Sequence, residues 1–297
     1  MNDTGPNFPH IQLAGEKAFI IYFGDRISES ISKQVCAMAT RVRRSLGCRL
    51  IDLIPSYASL LIIYDPLQSG HSEILEMLED CLKQPLTKTE DAAGRQVMLP
   101  VFYSPEVGPD LLSLAKAKDL SPDDVIRLHH ERVYRVYAIG FAPGFAYLGQ
   151  VNERLATSRL DTPRAKVPRG SVGIADKQTA VYPSESPGGW NLIGRCPVRM
   201  FDPTAYSPMP VAVGDRVRFK PIDRARYELL AAPFRTLMAR QQRGLEWQNR
   251  AATIKLRDDC VRLLDSKASG PHFTVQLMCL EFLQPLMARD TPACASR

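Results

Sequence analysis

Arg159, Arg164, Lys166 and Arg169 crowd the stretch RLDTPRAKVPRGSVG (159–173), separated by prolines that hold the chain extended. A second stretch, YPSESPGGWNLIGR (182–195), gathers Glu185, Ser186, Trp190 and Arg195 around a Pro-Gly-Gly turn. Arginine's planar fork gives a carboxylate or phosphate two hydrogen bonds at once, so this chemistry fits a small anion. Glu185 could move a proton or simply pair with an arginine. His129 could act as acid or base near neutral pH. A plainer reading makes the arginines a solvated face, His129 a helix end and Trp190 core. The density of turn-forming residues favours a site, because loops on a rigid scaffold are where sites tend to lie.

A third stretch, GFAPGFAYLG (140–149), sets Gly140, Pro143, Gly144 and Gly149 among Phe141, Phe145, Tyr147 and Leu148. It reads as neither strand nor helix, since core segments avoid such breakers. Either it turns a buried barrel corner or its backbone approaches a bound molecule. The spacing Gly144-x4-Gly149 is not a phosphate-binding P-loop, because Gln150 and Val151 stand where Lys and Ser or Thr belong. No GxGxxG, HExxH or GxSxG is present. The five histidines show no paired ligand spacing, so no metal site is expected. LAKAKDLSPDDVIRLHH (114–130) superficially resembles a helix-turn-helix, but Asp123 and Asp124 would face DNA phosphates.

These residues need elements to hold them. The 297 residues are enough for roughly two domains of about 150 each. AFIIYFG, CRLIDLIPS and SLLIIYDP read as strands, the last two joined around Pro55 and Ser56. Residues 28–46 and 71–84 carry apolar residues at helical spacing. The resulting βαββα order over 1–90 predicts a small α/β sandwich. Residues 85–96 read as a linker. Over 97–223 come a strand, two short helices and then many short β runs broken by Pro and Gly, the pattern of a β-barrel or sandwich closed by VGDRVRFKPI. Ser121, Pro122, Asp123 and Asp124 mark the start of the second helix. Residues 224–297 read as a helical or poorly ordered extension. The fold class expected is therefore α+β.

The bulk numbers narrow the function classes. A net charge of +6 suits a small anionic substrate or an acidic partner better than nucleic acid. No apolar run reaches the roughly 18 residues of a membrane span, and MNDTGPNFPH has no secretory pattern. Seven cysteines without a CxxC pair fit reduced thiols in a cytoplasm.

HHERVYRVYAIGFAPGFAYLG, RLDTPRAKVPRGSVGIADKQTAVYPSESPGGWNLIGR, FDP and VGDRVRFKPI, taken in order, resemble the B subunit of prokaryotic 5-oxoprolinase. That family also includes Kip-type kinase inhibitors and allophanate hydrolase subunit 1. The resemblance covers roughly 10–223 and implies a cyclophilin-like barrel after the α/β domain. It implies ATP-dependent opening of 5-oxoproline to glutamate, with a homologous C subunit and a separate A subunit as partners. It also leaves a Kip-type role on a sensor histidine kinase, or one in urea and allophanate metabolism, as the other expectations. By motif position it makes His129 and Glu185 the proton-handling groups. Arg164, Arg169, Ser171, Gln178, Ser186 and Arg195 become substrate-binding residues, and Gly140, Pro143, Gly144 and Tyr147 the pocket turn. Cys196 departs from the family's usual Thr. The tail from about 224 lies outside the resemblance, although MCLEFLQP (278–285) resembles the opening of the C subunit.

Overall fold

Alternating burial along AFIIY and SLLIIY builds the first layer. The computed structural model describes residues 7–85 and 94–232. Its first elements are β1 (His10–Leu13), β2 (Ala18–Tyr22), α1 (Glu29–Leu46), β3 (Leu50–Ser56), β4 (Ser59–Tyr64) and α2 (His71–Lys83). The four strands pair antiparallel in the order β1-β2-β4-β3. Phe19 and Ile21 of β2, with Leu60, Ile62 and Tyr64 of β4, share one face because side chains alternate along a strand. That face is buried against Val35, Met38, Val42 and Leu46 of α1 and Ile74, Leu78 and Cys81 of α2. Arg41 of α1 is also buried. Its guanidinium donates to the carbonyls of Cys81 (2.7 Å), Gln84 (2.6 Å) and Pro85 (2.8 Å), satisfying the negative end of α2.

Two details differ from the sequence reading. β1 was not foreseen, because a four-residue edge strand leaves almost no periodic signal. The β3–β4 turn falls at Tyr57–Ala58 rather than at Pro55–Ser56. Pro55 instead stays inside β3, which is the sheet's edge, where a missing N–H is tolerated.

The second layer comprises β5 (Gln96–Val101), α3 (Leu111–Ala117), α4 (Pro122–His130), β6 (Val133–Ile139), β7 (Ala146–Gly149), β8 (Arg164–Val167), β9 (Ser171–Ala175), β10 (Gln178–Val181), β11 (Ser186–Gly188), β12 (Asn191–Arg195) and β13 (Arg216–Pro221), followed by α5 (Arg224–Ala231). Seven strands form a curled sheet in the order β12-β9-β10-β7-β6-β13-β5, while β8 and β11 make a separate ribbon. β13 and β5 run parallel. The curl brings the sheet's two ends together, where Phe102 and Arg195 exchange backbone hydrogen bonds of 2.9 Å in both directions. Leu99, Val101, Tyr134, Val136, Leu148, Val172, Ile174, Ile193, Val217 and Phe219 fill the interior with Leu111 and Leu114 of α3 and Val125 of α4. α4 starts as predicted, with the Asp124 N–H donating to Ser121 Oγ at 3.0 Å. AYLG, expected to lie outside any strand, is β7.

The described residues up to Tyr227 form one compact unit. α5 begins where the helical extension was expected, and the rest of that extension lies outside the described residues, as does most of the expected linker. Among the described residues no helix is long and apolar enough to cross a membrane. Side chains tie α1 and the β3–β4 turn to the curled sheet. Arg216 pairs with Glu29 at 2.8 Å, Arg135 donates to Ser32 Oγ at 2.9 Å, and Gln178 donates to the Tyr57 hydroxyl at 2.8 Å.

Candidate functional site

The GFAPGFAYLG turn leads directly from β6 into β7. The Gly140 N–H donates to the Phe145 carbonyl (3.0 Å) and the Phe145 N–H to the Ala142 carbonyl (2.9 Å), closing a tight corner. Gly144 holds φ at +82°, and a Cβ there would meet the Met200 carbonyl oxygen at 2.3 Å. Its glycine therefore serves close backbone packing within the chain, rather than the approach to a ligand that the sequence reading expected. Gly144→Ala is expected to cost about 2 kcal/mol through the left-handed φ and this clash, read as a lowered urea midpoint. Gly140 and Pro143 shape the same corner. Phe141, at φ 72°, leaves its ring 69% exposed at the tip.

Behind the turn stands an aromatic wall. Phe145 packs edge-on against Tyr147 (4.9 Å between centroids), Tyr182 (5.3 Å) and Trp190 (5.6 Å). The β3–β4 turn adds Tyr57, which stacks on Tyr137 at 5.9 Å and approaches Tyr147 at 6.2 Å. Burial pushes the hydroxyls of Tyr57, Tyr147 and Tyr182 up from their ordinary pKa, opposed in each case by the positive charge of Arg159. Three phenols, Gln178 and one exposed cation thus share one neighbourhood. Trp190, 5% exposed, belongs to the wall's packing.

The other predicted residues separate into three groups. Arg164 is not a free anion binder. It pairs with Asp110 Oδ1 at 2.6 Å and reaches the Trp190 carbonyl at 3.4 Å, while Asp110 Oδ2 accepts from the Leu192 N–H at 2.7 Å. Glu185 is exposed and only loosely paired with Lys166 at 3.6 Å, and Ser186 lies on the same β8–β11 ribbon. Ser171 and Arg195 are direct cross-strand neighbours of β9 and β12. Ser171 Oγ and Arg195 Nε are buried without a hydrogen-bond partner among the described residues, a state that costs stability unless something satisfies it. Arg169, two positions before Ser171, is exposed.

His129 corrects the sequence reading most sharply. It is 0% exposed and its ring stacks on Phe219 at 4.6 Å. Nδ1 lies 2.8 Å from the Tyr103 hydroxyl and Nε2 2.9 Å from Thr179 Oγ1. Thr179 spends its hydrogen on the Gly173 carbonyl (2.9 Å), so Nε2 carries the proton and donates to Thr179. Nδ1 then accepts from Tyr103. Burial, with a smaller contribution from His130, pushes its pKa down to about 3. A neutral histidine with both nitrogens occupied orients strands and exchanges no proton with solvent.

Sequence reasoning missed Asp110, Tyr57 and Arg135. Tyr57 gave no signal beyond its place in a turn. Asp110 and Arg135 were legible in principle, as an acid directly after Gly108-Pro109 and an arginine inside the apolar run VYRVYAI.

Comparison with known proteins agrees with this architecture. Residues 9–211 match the model of the carboxyltransferase domain, subdomain C and D. The chain is 39% identical over 226 residues to the 5-oxoprolinase B subunit of Bacillus subtilis, covering 73% of this chain and 94% of that one. It is 34% identical over 209 residues to the corresponding B subunit of Escherichia coli O157:H7, covering 70% and 94%. The crystal structure of TTHA0988 is 36% identical with a TM-score of 0.63, over 70% of this chain and 40% of that longer one. The Kluyveromyces lactis urea carboxylase, 17% identical with a TM-score of 0.55 over 74% of this chain and 22% of that one, shares the fold. The ordered motifs, the curled sheet and these matches together make this chain a member of the family of 5-oxoprolinase B subunits.

Proposed function

We infer that the chain is the B subunit of a cytoplasmic, ATP-dependent 5-oxoprolinase, acting with a homologous C subunit and a separate A subunit to open 5-oxo-L-proline to L-glutamate. The observation that carries this reading is the match over 94% of the length of two relatives with that one name. The aromatic wall suits the substrate. A small lactam ring packs on Tyr147 and Tyr57, its carboxylate pairs with Arg159, and Gln178 hydrogen-bonds the amide. A lactam carbonyl is a poor electrophile, and negative charge develops on its oxygen as water attacks. Donors fixed in place before the reaction stabilise that charge. Arg195 and Ser171, each with an unsatisfied polar atom, are the groups we assign to bind anions beside the wall, with Arg169 at its exposed edge.

The glycine turn does not fit ATP. It lacks the lysine that would neutralise phosphate charge, and the Met200 carbonyl occupies the space at Gly144. Any ATP the complex uses is therefore held elsewhere than on this turn, and the chain alone is expected to be inactive.

The experiment is glutamate release from 5-oxoproline and ATP by the three co-purified subunits, omitting each in turn. Activity should vanish without this chain. Arg159→Ala should raise KM for 5-oxoproline about tenfold with kcat little changed, the loss of one charged contact. Undiminished turnover by the A and C subunits alone would sink the assignment.

A further inference from the structure

We propose that a cavity between the start of α1 and strands β6, β7 and β13 binds a phosphate-class oxyanion. It has a volume of about 280 Å³, and its walls include Glu29, Arg132, Arg135, Tyr137, Gln150 and Arg216. Arg216 of β13 lies directly opposite Arg135 of β6, and Arg135 opposite Gly149 of β7. Two like charges at opposed positions repel. Glu29 answers only one of them, through its 2.8 Å contact with Arg216.

Arg135 is 8% exposed and has no carboxylate within ion-pair distance among the described residues. Its guanidinium donates instead to Ser32 Oγ (2.9 Å), the Gly214 carbonyl (3.3 Å) and Cys36 Sγ (3.6 Å). A buried cation held only by neutral acceptors is costly unless an anion comes to it. Arg132 adds a third positive charge at the rim. Gly149, without a side chain, lets the Tyr137 ring pack close beside Arg135, where a Cβ would meet its Cε2 at 3.0 Å.

The helix end adds a second kind of donor. α1 is 18 residues long and begins at Glu29, with Ser28 offering no side-chain cap. The first-turn N–H groups have no intrahelical partner and form the positive end of the helix dipole. Three arginines against one glutamate match the charge of a dianion. Donors on strands and on a helix end surround the space from different sides. That arrangement suits a tetrahedral group better than a flat carboxylate.

The test is calorimetric titration of the full chain with inorganic phosphate, with ADP and with glutamate, at constant ionic strength. Arg132→Gln and Arg216→Gln are each expected to weaken phosphate binding about tenfold. Glu29→Gln, which removes the competing negative charge, is expected to tighten it. Thermal melts check that the variants fold. Arg135 is left unchanged because it also holds α1 to the sheet. ADP binding tighter than phosphate would identify a nucleotide as the source of the group, and equal or weaker ADP binding would identify free phosphate. Absence of saturable binding of both up to about 10 mM would overturn the proposal. So would glutamate binding as tightly as phosphate, or phosphate affinity unchanged in both arginine variants.

Discussion

Asp110→Ala is expected to lower unfolding free energy by about 4 kcal/mol, the effect of breaking a largely buried ion pair from one side. Asp110 is 8% exposed and does two jobs. One carboxylate oxygen holds Arg164 of the β8–β11 ribbon at 2.6 Å, and the other takes the Leu192 N–H of β12 at 2.7 Å. Its own N–H donates to the Leu192 carbonyl at 3.0 Å, so α3 is pinned where it begins. Alanine leaves a guanidinium and a buried N–H without their acceptor. Asp110→Asn keeps an acceptor for Leu192 and should cost about half as much. Urea unfolding followed by circular dichroism reads both. A loss below about 1 kcal/mol for the alanine variant would show that Arg164 finds other partners, and would return it to the set of free anion binders.

Acid should destabilise the chain through His129 well above the range where carboxylates titrate. Its pKa is about 3 in the fold, and an exposed histidine in the unfolded chain titrates near 6.5. The unfolded state therefore binds the extra proton between these values. The stability due to the neutral ring is complete above pH 6.5 and falls by about 1.4 kcal/mol per pH unit below it. By pH 5 the loss reaches about 2 kcal/mol. His129→Gln should start less stable at pH 7, because Tyr103 and Thr179 lose their bridging ring, yet show a flatter profile between pH 6.5 and 5. A wild-type urea midpoint unchanged over that interval would refute the buried, neutral assignment.

Much of the fold was legible because period and punctuation agreed. The helical spacing of Val35, Met38, Val42 and Leu46 and the alternation in SLLIIY each describe a single buried face. The cap at Ser121 gave the start of α4 directly. The site was less legible, for a physical reason. An arginine's sequence context shows its charge but not where its partner lies. Arg164 meets Asp110 from 54 positions away, and Arg135 meets Ser32 from 103. His129 misled because a histidine at a helix end looks alike whether it faces solvent or the core. Only the aromatic packing of Tyr103, Tyr134 and Phe219 around it settles the matter.

The parallel pairing of β5 with β13 sets an order of events during synthesis. Among the described strands β5 has no partner in the sheet other than β13, and the neighbouring contact between Arg95 and Asp215 spans 120 positions. Nearly the whole second layer must leave the ribosome before that edge is covered. Until then the nascent chain presents the apolar strand QVMLPV as an open template to any other extended segment. A message truncated before Arg216 would thus yield a chain with unpaired edges on both β5 and β6. Such a fragment is a candidate for chaperone capture or aggregation rather than for a smaller working protein.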